Sequence, residues 1–327
     1  MQRRALLSML LAGATISALG PAGKARAQPS VWPDRPLRLV VPFPPGGAID
    51  AMARLLAPVL QAELGQPVTV ENRSGAGGTL GTAAAASSAD RHTLLMVSIA
   101  HATNPALYPR LPFDSRADFR PVAPVAVVPN ILVVPSASPV RDVAGLVAEA
   151  RRRPGMLSYG SAGSGTSIHL AGALFCALAG VEMTHVPYRG SGPAVADLVT
   201  GRLDCMFDSI TSAAPHVASG RLRALAVTTT RRSLAMPDLP TVAEAGVPGY
   251  AVDPWFAMLA PAGLPDAARE RVEATVAAAL QDTGMRQRFA AIGAEPMEGD
   301  SRTLGRMVEA ETRRWGELIH KLGIQAE

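Results

Sequence analysis

The chain has 327 residues, 48% of them hydrophobic and 4% aromatic, with 31 basic against 27 acidic side chains. Four basic residues (Arg3, Arg4, Lys24, Arg26) and no acidic ones fall in the first 27 positions, so the remainder is balanced in charge and carries no basic tract interleaved with aromatics. Nucleic acid is thereby excluded as an expected partner, and the roughly 300 remaining residues suffice for two packed domains.

The start of the chain has the layout of an export signal. Arg3 and Arg4 precede an apolar stretch from Ala5 to Gly20, and Ala25-Arg26-Ala27 has the A-x-A form of a cleavage site. Residues 1–27 are therefore expected to be removed, leaving Gln28 as the mature start. The apolar run, about 16 residues, is too short to span a bilayer well. The paired arginines fit both a twin-arginine signal and a simple basic leader. No later apolar stretch is long enough to span, so the mature product is expected to be soluble and extracytoplasmic. Cys176 and Cys205 allow one disulfide in such a space, but each sits among apolar neighbours, which favours buried free thiols.

Leu37 to Val41 reads as a buried strand. It breaks at Pro42, Pro44 and Pro45, turns at Gly46-Gly47, and re-enters regular structure near Asp50, where Met52, Leu55, Leu56, Val59 and Leu60 recur at helical spacing. A strand that ends in a glycine turn opening a helix leaves free N–H groups at a positive dipole end, which suits an anion without Lys or Arg. Pro67–Glu71 is a second strand, followed by a glycine-rich turn over 72–81, a helix near 83–86 and a buried strand over Thr93–Val97. This alternation predicts a parallel sheet covered on both faces. Residues 104–119 are proline-broken and read as irregular.

The Val/Pro/Ile stretch from Val122 to Val134 reads as the crossing into a second domain. There, a helix over 143–152 stops at Pro154-Gly155, and a short strand at 157–159 feeds a second glycine turn, Gly160 to Ser167. A helix over 168–179 follows the turn. Next come a segment at 184–188, a helix over 193–200, and strands at 205–207 and 222–228. Near 250–261 the chain crosses back, and helices over 265–280 and 301–322 cap the first domain. The expected fold is α/β, with two doubly wound sheets, an interlobe cleft and a C-terminal helical segment. Residues 28–130 with 254–327 form lobe 1, and 131–253 form lobe 2. Ligands of open α/β sheets bind in such clefts.

Catalytic and cofactor motifs fail on inspection. The run GSAGSGTS lacks the lysine of a phosphate-binding loop at Thr166, and the turn from Gly75 to Leu80 lacks the third glycine of a dinucleotide fingerprint. No G-x-S-x-G surrounds Ser164, and no H-E-x-x-H or C-x-x-C is present. No catalytic residue, cofactor or metal is expected. His169 reads equally as first-turn helix chemistry, a cleft donor or packing. Asp208 reads equally as a cleft-facing polar group for an amine or hydroxyl and as a helix cap. What remains positive is the pair of glycine turns: each lobe offers one before a helix N-terminus, with Ser161, Ser164, Thr166 and Ser167 near the second. Facing each other, they would hold a small carboxylate by backbone N–H donation.

The motifs Pro42-Phe43-Pro44-Pro45-Gly46-Gly47 with Asp50, the run from Val70 to Gly78, Asn104 to Tyr108, Gly163 to His169, His185 to Gly190 and Phe207-Asp208 carry a family likeness. It continues through Leu222–Thr228, the PTVAEAG run from Pro240, and Trp255-Phe256 with 259–263. In order, and over essentially the whole mature chain, they resemble the Bug-type receptors of tripartite tricarboxylate transporters. The resemblance implies a two-lobed, type II-like periplasmic binding protein, not an enzyme, that acts as a monomer. It would close on a small carboxylate and present it to membrane permease subunits. Carried over, the family's cleft loops fall on Phe43, Gly46, Gly47 and Asp50, on a loop from Ser98 through His101 to Asn104, on Ser161, Ala162, Gly163, Ser164, Gly165 and Thr166, and on His169 and Asp208. Ile49 stands where many relatives place a small or hydroxyl residue, which favours a more apolar ligand end. Two rival readings use the same residues: a ligand-sensing partner of a membrane signalling system, and a periplasmic hydrolase using Ser161 or Ser164 with His169.

Overall fold

The computed structural model describes residues 32–324, so the expected export segment lies outside the described residues. Leu37–Val41 forms β1, Ala48–Leu64 α1, Val68–Asn72 β2, Thr79–Ala86 α2, Thr93–Ser98 β3, Ala100–Leu107 α3 and Phe119–Val127 β4. The chain then enters another sheet: β5 (Asn130–Pro135), α4 (Val143–Arg152), β6 (Ser158–Ser161), α5 (Ser167–Ala179), β7 (Thr184–Pro187), α6 (Ser191–Val199), β8 (Cys205–Ser209), α7 (Ile210–Ala218) and β9 (Leu222–Val227). It returns through β10 (Trp255–Pro261), α8 (Asp266–Gln281), α9 (Thr283–Ala291), β11 (Glu295–Pro296) and α10 (Ser301–Leu322).

The first sheet runs β11-β4-β10-β3-β1-β2 and the second β7-β6-β8-β5-β9. Each is mixed rather than wholly parallel. β1 pairs in parallel with β2 and β3, but the returning β10 runs antiparallel between β3 and β4. β5 likewise runs antiparallel between β8 and β9. The strand–helix alternation that predicts parallel pairing holds only within each lobe; the strands that carry the chain between lobes arrive from the other end. β5 and β10 are buried along their whole length, which accounts for the unbroken apolar sequence of β10 and of β5 from Ile131 onward.

α1 buries Met52, Leu56, Leu60 and Leu64 on one face and ends at Gly65, whose φ of 75° lets its N–H reach the Gln61 carbonyl. In the second sheet's core, Phe175, Phe207 and Tyr250 pack together, and the Tyr250 hydroxyl donates to the Ala171 carbonyl at 3.0 Å. α10 lies along α3 and β4, and the buried Trp315 donates its Nε1–H to Glu311 at 2.9 Å. Cys176 and Cys205 are free thiols. Among the described residues no helix is long and apolar enough to cross a membrane.

The segment expected as a loop from Ser98 to Asn104 is instead the end of β3 and the first half of α3, because Ala100-His101-Ala102 continues the helix into Pro105. α6 begins at Ser191, before Pro193, so the proline sits inside the first turn, where its missing N–H has no intrahelical partner to lose.

Candidate functional site

β6 is parallel to both β7 and β8, so the loops after these three strands leave the second sheet at one edge. They face the loop after β1, and a cavity of about 390 Å³ lies between. From the first lobe it is lined by residues 43–49, Ser98 and Phe256. From the second it is lined by Asn130, Ala162, residues 166–168, residues 189–193, Val195, Ser209, Ser212 and His216.

The cavity is built around helix N-termini. α1 is capped by Gly47 and α6 by Gly190, neither of which has a side chain to offer. α7 is capped by Ser209, which makes no capping bond, and its buried Oγ has no hydrogen-bond partner. The first-turn N–H groups of these three helices therefore lack a side-chain acceptor. The Ile210 N–H of α7 is answered by the Pro129 carbonyl at 2.9 Å, which leaves those of Thr211 and Ser212, and the three dipoles put partial positive charge on the cavity. α5 differs, because the Thr166 hydroxyl accepts from the His169 N–H at 3.4 Å. No Asp or Glu lines the cavity. Arg189, exposed at its edge, is the one Lys or Arg side chain in the lining. His216 also lines it; burial and then Arg221 lower its pKa, so it is neutral at pH 7.

Of the residues expected at the site, Phe43, Gly46, Gly47, Ile49, Ser98, Ala162 and Thr166 line this cavity. The others lie elsewhere. Asp50 is buried inside its own loop, where it accepts from the Gly46 N–H at 3.0 Å, Asn72 Nδ2 at 2.9 Å and Arg54 Nε at 3.0 Å. Burial alone would raise its pKa, but the bonds from Arg54, Gly46 and Asn72 outweigh that and hold it low. Asp50 braces the loop. His101 points into the first lobe, with Nε2 at 3.0 Å from the Ser115 carbonyl, beside a separate cavity of about 880 Å³ against α3 and α10 that no uncapped glycine turn enters. Burial pushes its pKa down to about 4.

Most of the second glycine turn is taken up by contact between lobes. A Cβ on Gly77, whose φ is +60°, would meet the Ser164 carbonyl at 2.6 Å, so only glycine permits this approach. The Thr103 hydroxyl donates to the Gly165 carbonyl at 3.1 Å, and Asn104 Nδ2 to the Gly77 carbonyl at 3.2 Å. Gly163, Ser164, Gly165 and Asn104 thus do not line the cavity. Ser161 is fully buried, and its Oγ lies 2.7 Å from His185 Nε2, not against His169. The His169 ring stacks on His185 at 4.0 Å and takes the Gly165 N–H on Nδ1 at 3.1 Å. Burial lowers the pKa of His169 to about 4, and burial with His169 beside it lowers that of His185 to about 3. The pairing of Ser161 or Ser164 with His169 expected of a hydrolase is thus replaced by Ser161 with His185.

Asp208 has no exposed surface and sits just behind the cavity, accepting from the Ser191 hydroxyl at 2.7 Å and from that of Ser212. Burial raises its pKa to about 6. The residues that sequence reading passes over are Arg189, Ser191, Gly192, Ser209 and Ser212. Their one visible signal is Gly190-Ser191-Gly192-Pro193, a glycine–serine turn with a proline suited to a first helical turn.

Residues 52–324 match the profile of the Tripartite tricarboxylate transporter family receptor. The protein BugT of Bordetella pertussis is 38% identical over 89% of this chain and 90% of its own. Among solved structures, Rpa4515 of R. palustris with adipate is 41% identical, with a TM-score of 0.86 over 90% of this chain and 99% of its own. MatC from Rhodopseudomonas palustris with bound malate is 33% identical, with a TM-score of 0.83 over 88% of this chain and 100% of its own. Fold and sequence agree: the chain belongs to the Bug-type tripartite tricarboxylate transporter receptors, a family of two-lobed periplasmic solute-binding proteins.

Proposed function

We propose that this chain is a periplasmic receptor that captures a small organic carboxylate between its lobes and delivers it to membrane permease subunits. The observation that carries the reading is the convergence of three uncapped helix N-termini, α1, α6 and α7, on one cavity with no acidic side chain in its lining. Such a surface attracts an anion through backbone N–H groups and dipoles, and in a cleft that excludes water these bonds are charge-assisted. Phe43, Ile49 and Phe256 add an apolar wall that suits the carbon skeleton. The adipate and malate bound by the two solved relatives are small carboxylates of this kind.

Isothermal titration of ligand-stripped, refolded protein with adipate, malate, lactate and phenylacetate, each beside its neutral amide, tests the proposal. At least one acid is expected to bind with its amide inert. Binding of no acid, or equal binding of acid and amide, would overturn it.

A further inference from the structure

Four cleft serines differ in what their single hydroxyl proton can do. A serine hydroxyl has one proton and two lone pairs, so committing the proton leaves only acceptors outward. Ser191, first residue of α6, donates to Asp208 Oδ1 at 2.7 Å. Ser212, in the first turn of α7, donates to Asp208 Oδ2, with the Ser209 carbonyl at 3.1 Å as a second inward acceptor. Ser167, on α5, is the opposite case: its oxygen accepts from Asn130 Nδ2 at 3.2 Å, which leaves its proton free for the cavity. Ser209 keeps an unpartnered hydroxyl between the two kinds. Beside the backbone N–H donors at the starts of α6 and α7, the cavity therefore carries two hydroxyls that can only accept, and on α5 one that can donate.

We infer that Asp208 is a positioning residue that turns the protons of Ser191 and Ser212 inward, so that the cleft selects carboxylates bearing a hydrogen-bond donor, a hydroxyl or ammonium beside the carboxylate, over counterparts lacking it. The inference rests on the carboxylate-receptor reading above and names the ligand class within it. Two acceptor-only hydroxyls left facing a methylene lose hydrogen bonds, whereas a ligand hydroxyl satisfies them.

Protonation of Asp208 would reverse this, because its own O–H could then donate to one serine and release that serine's proton into the cavity. The titratable groups on Asp208's own strand and on the elements packed around it are Cys205 on β8, His216 on α7, His169 and Cys176 on α5, Asp197 on α6, Tyr159 on β6 and Arg189 before α6. The two imidazoles are neutral at pH 7. With Asp208 pushed up to about 6 by burial, the donor preference is full near pH 8 and fades as pH falls through 6.

The test is isothermal titration at pH 8 and pH 5 with three matched pairs: propanoate and lactate, succinate and malate, phenylacetate and mandelate. For whichever pair binds, the wild type is expected to favour the hydroxy acid about tenfold at pH 8, and less at pH 5. In D208N the amide oxygen accepts from one serine and the NH2 donates to the other, so the preference should drop below about threefold at both pH values. The double variant S191A/S212A should lose it likewise, which keeps the test open if D208N fails to fold. Equal binding of both members at pH 8, or a D208N protein with wild-type preference and pH profile, would overturn this inference while leaving the receptor reading intact. Binding of no acid would overturn both.

Discussion

The loop Phe43–Asp50 and the loop Ser161–Thr166 look alike in sequence, each a glycine turn that opens a helix, yet the structure uses them for different ends. The first presents a bare N-terminus at Gly47 to the cleft, and its own acid, Asp50, is turned inward to brace the loop. The second is consumed: Thr166 caps its own helix, Ser164 and Gly165 meet residues 77 and 103 of the other lobe, and Ser161 pairs with His185. A glycine turn before a helix offers an anion site only if its N–H groups are not already answered.

The largest effect that would sharpen this contrast is at Gly77. Valine there must adopt a φ near +60° and force its Cβ against the Ser164 carbonyl and the Tyr108 hydroxyl. Gly77→Val should lose about 3 kcal/mol of stability in urea unfolding; a loss under about 1 kcal/mol would show that the two glycine turns are not pressed together.

Acid should act on the consumed loop next. His169 and His185 have folded pKa values of about 4 and 3, below the ordinary 6.5. Their contribution is present above pH 6.5 and lost as pH falls toward those values, by an amount on the order of 2 kcal/mol per imidazole between pH 6.5 and 5. Asp208, with its folded pKa raised to about 6, works the other way: its ionised form costs stability above pH 6, and part of that returns on acidification. With His101, also lowered to about 4, three imidazoles outweigh one carboxylate, so denaturation midpoints should fall from pH 7 to pH 5. In H169N/H185N the fall should be smaller; an unchanged slope would contradict the assignment.

The bare loop is broken most selectively at its cap. Gly47 has an extended backbone, and a Cβ there meets nothing within 4 Å, so Gly47→Asp should fold normally and gain roughly a few tenths of a kcal/mol by capping α1. The same carboxylate would compete with the ligand, and affinity should fall roughly 30-fold. Ser164→Ala, outside the cavity, should change affinity less than about threefold. The reverse order of these effects would mean that the second loop, not the first, grips the ligand.

Arg189 has the smallest expected effect. It is exposed at the cavity edge, so Arg189→Ala should weaken binding only a few-fold at low salt and not at all at about 0.5 M salt. A larger, salt-independent loss would make it a direct ligand contact.

The first half of this picture was legible in the sequence. Leu37–Val41, the proline–glycine break and the spacing of Met52, Leu56 and Leu60 specify strand, turn and helix locally, and the structure places them so. The second half depends on sheet order. That β7 and β8 flank β6, bringing the starts of α6 and α7 beside α5, is a long-range pairing that no local pattern encodes. Pro193 added to the difficulty, since proline marks the first turn of a helix without fixing which residue begins it, and it drew the expected start two residues past Ser191. His101 and Asn104 lie outside the cavity for a related reason: their strand-to-helix junction resembles a ligand loop, but α3 points His101 at the Ser115 carbonyl and holds Asn104 against Gly77.

The claim that N–H groups of α1, α6 and α7 hold the ligand is most directly tested by amide chemical shifts during titration with whichever acid of the calorimetric panels binds. Residues 47–49, 191–192 and 211–212 should move downfield together and saturate at one equivalent, while 163–165 and Ile210, whose N–H is held by the Pro129 carbonyl, stay nearly fixed. Movement confined to 163–165, or no saturable shift in any of the three helix starts, would contradict it.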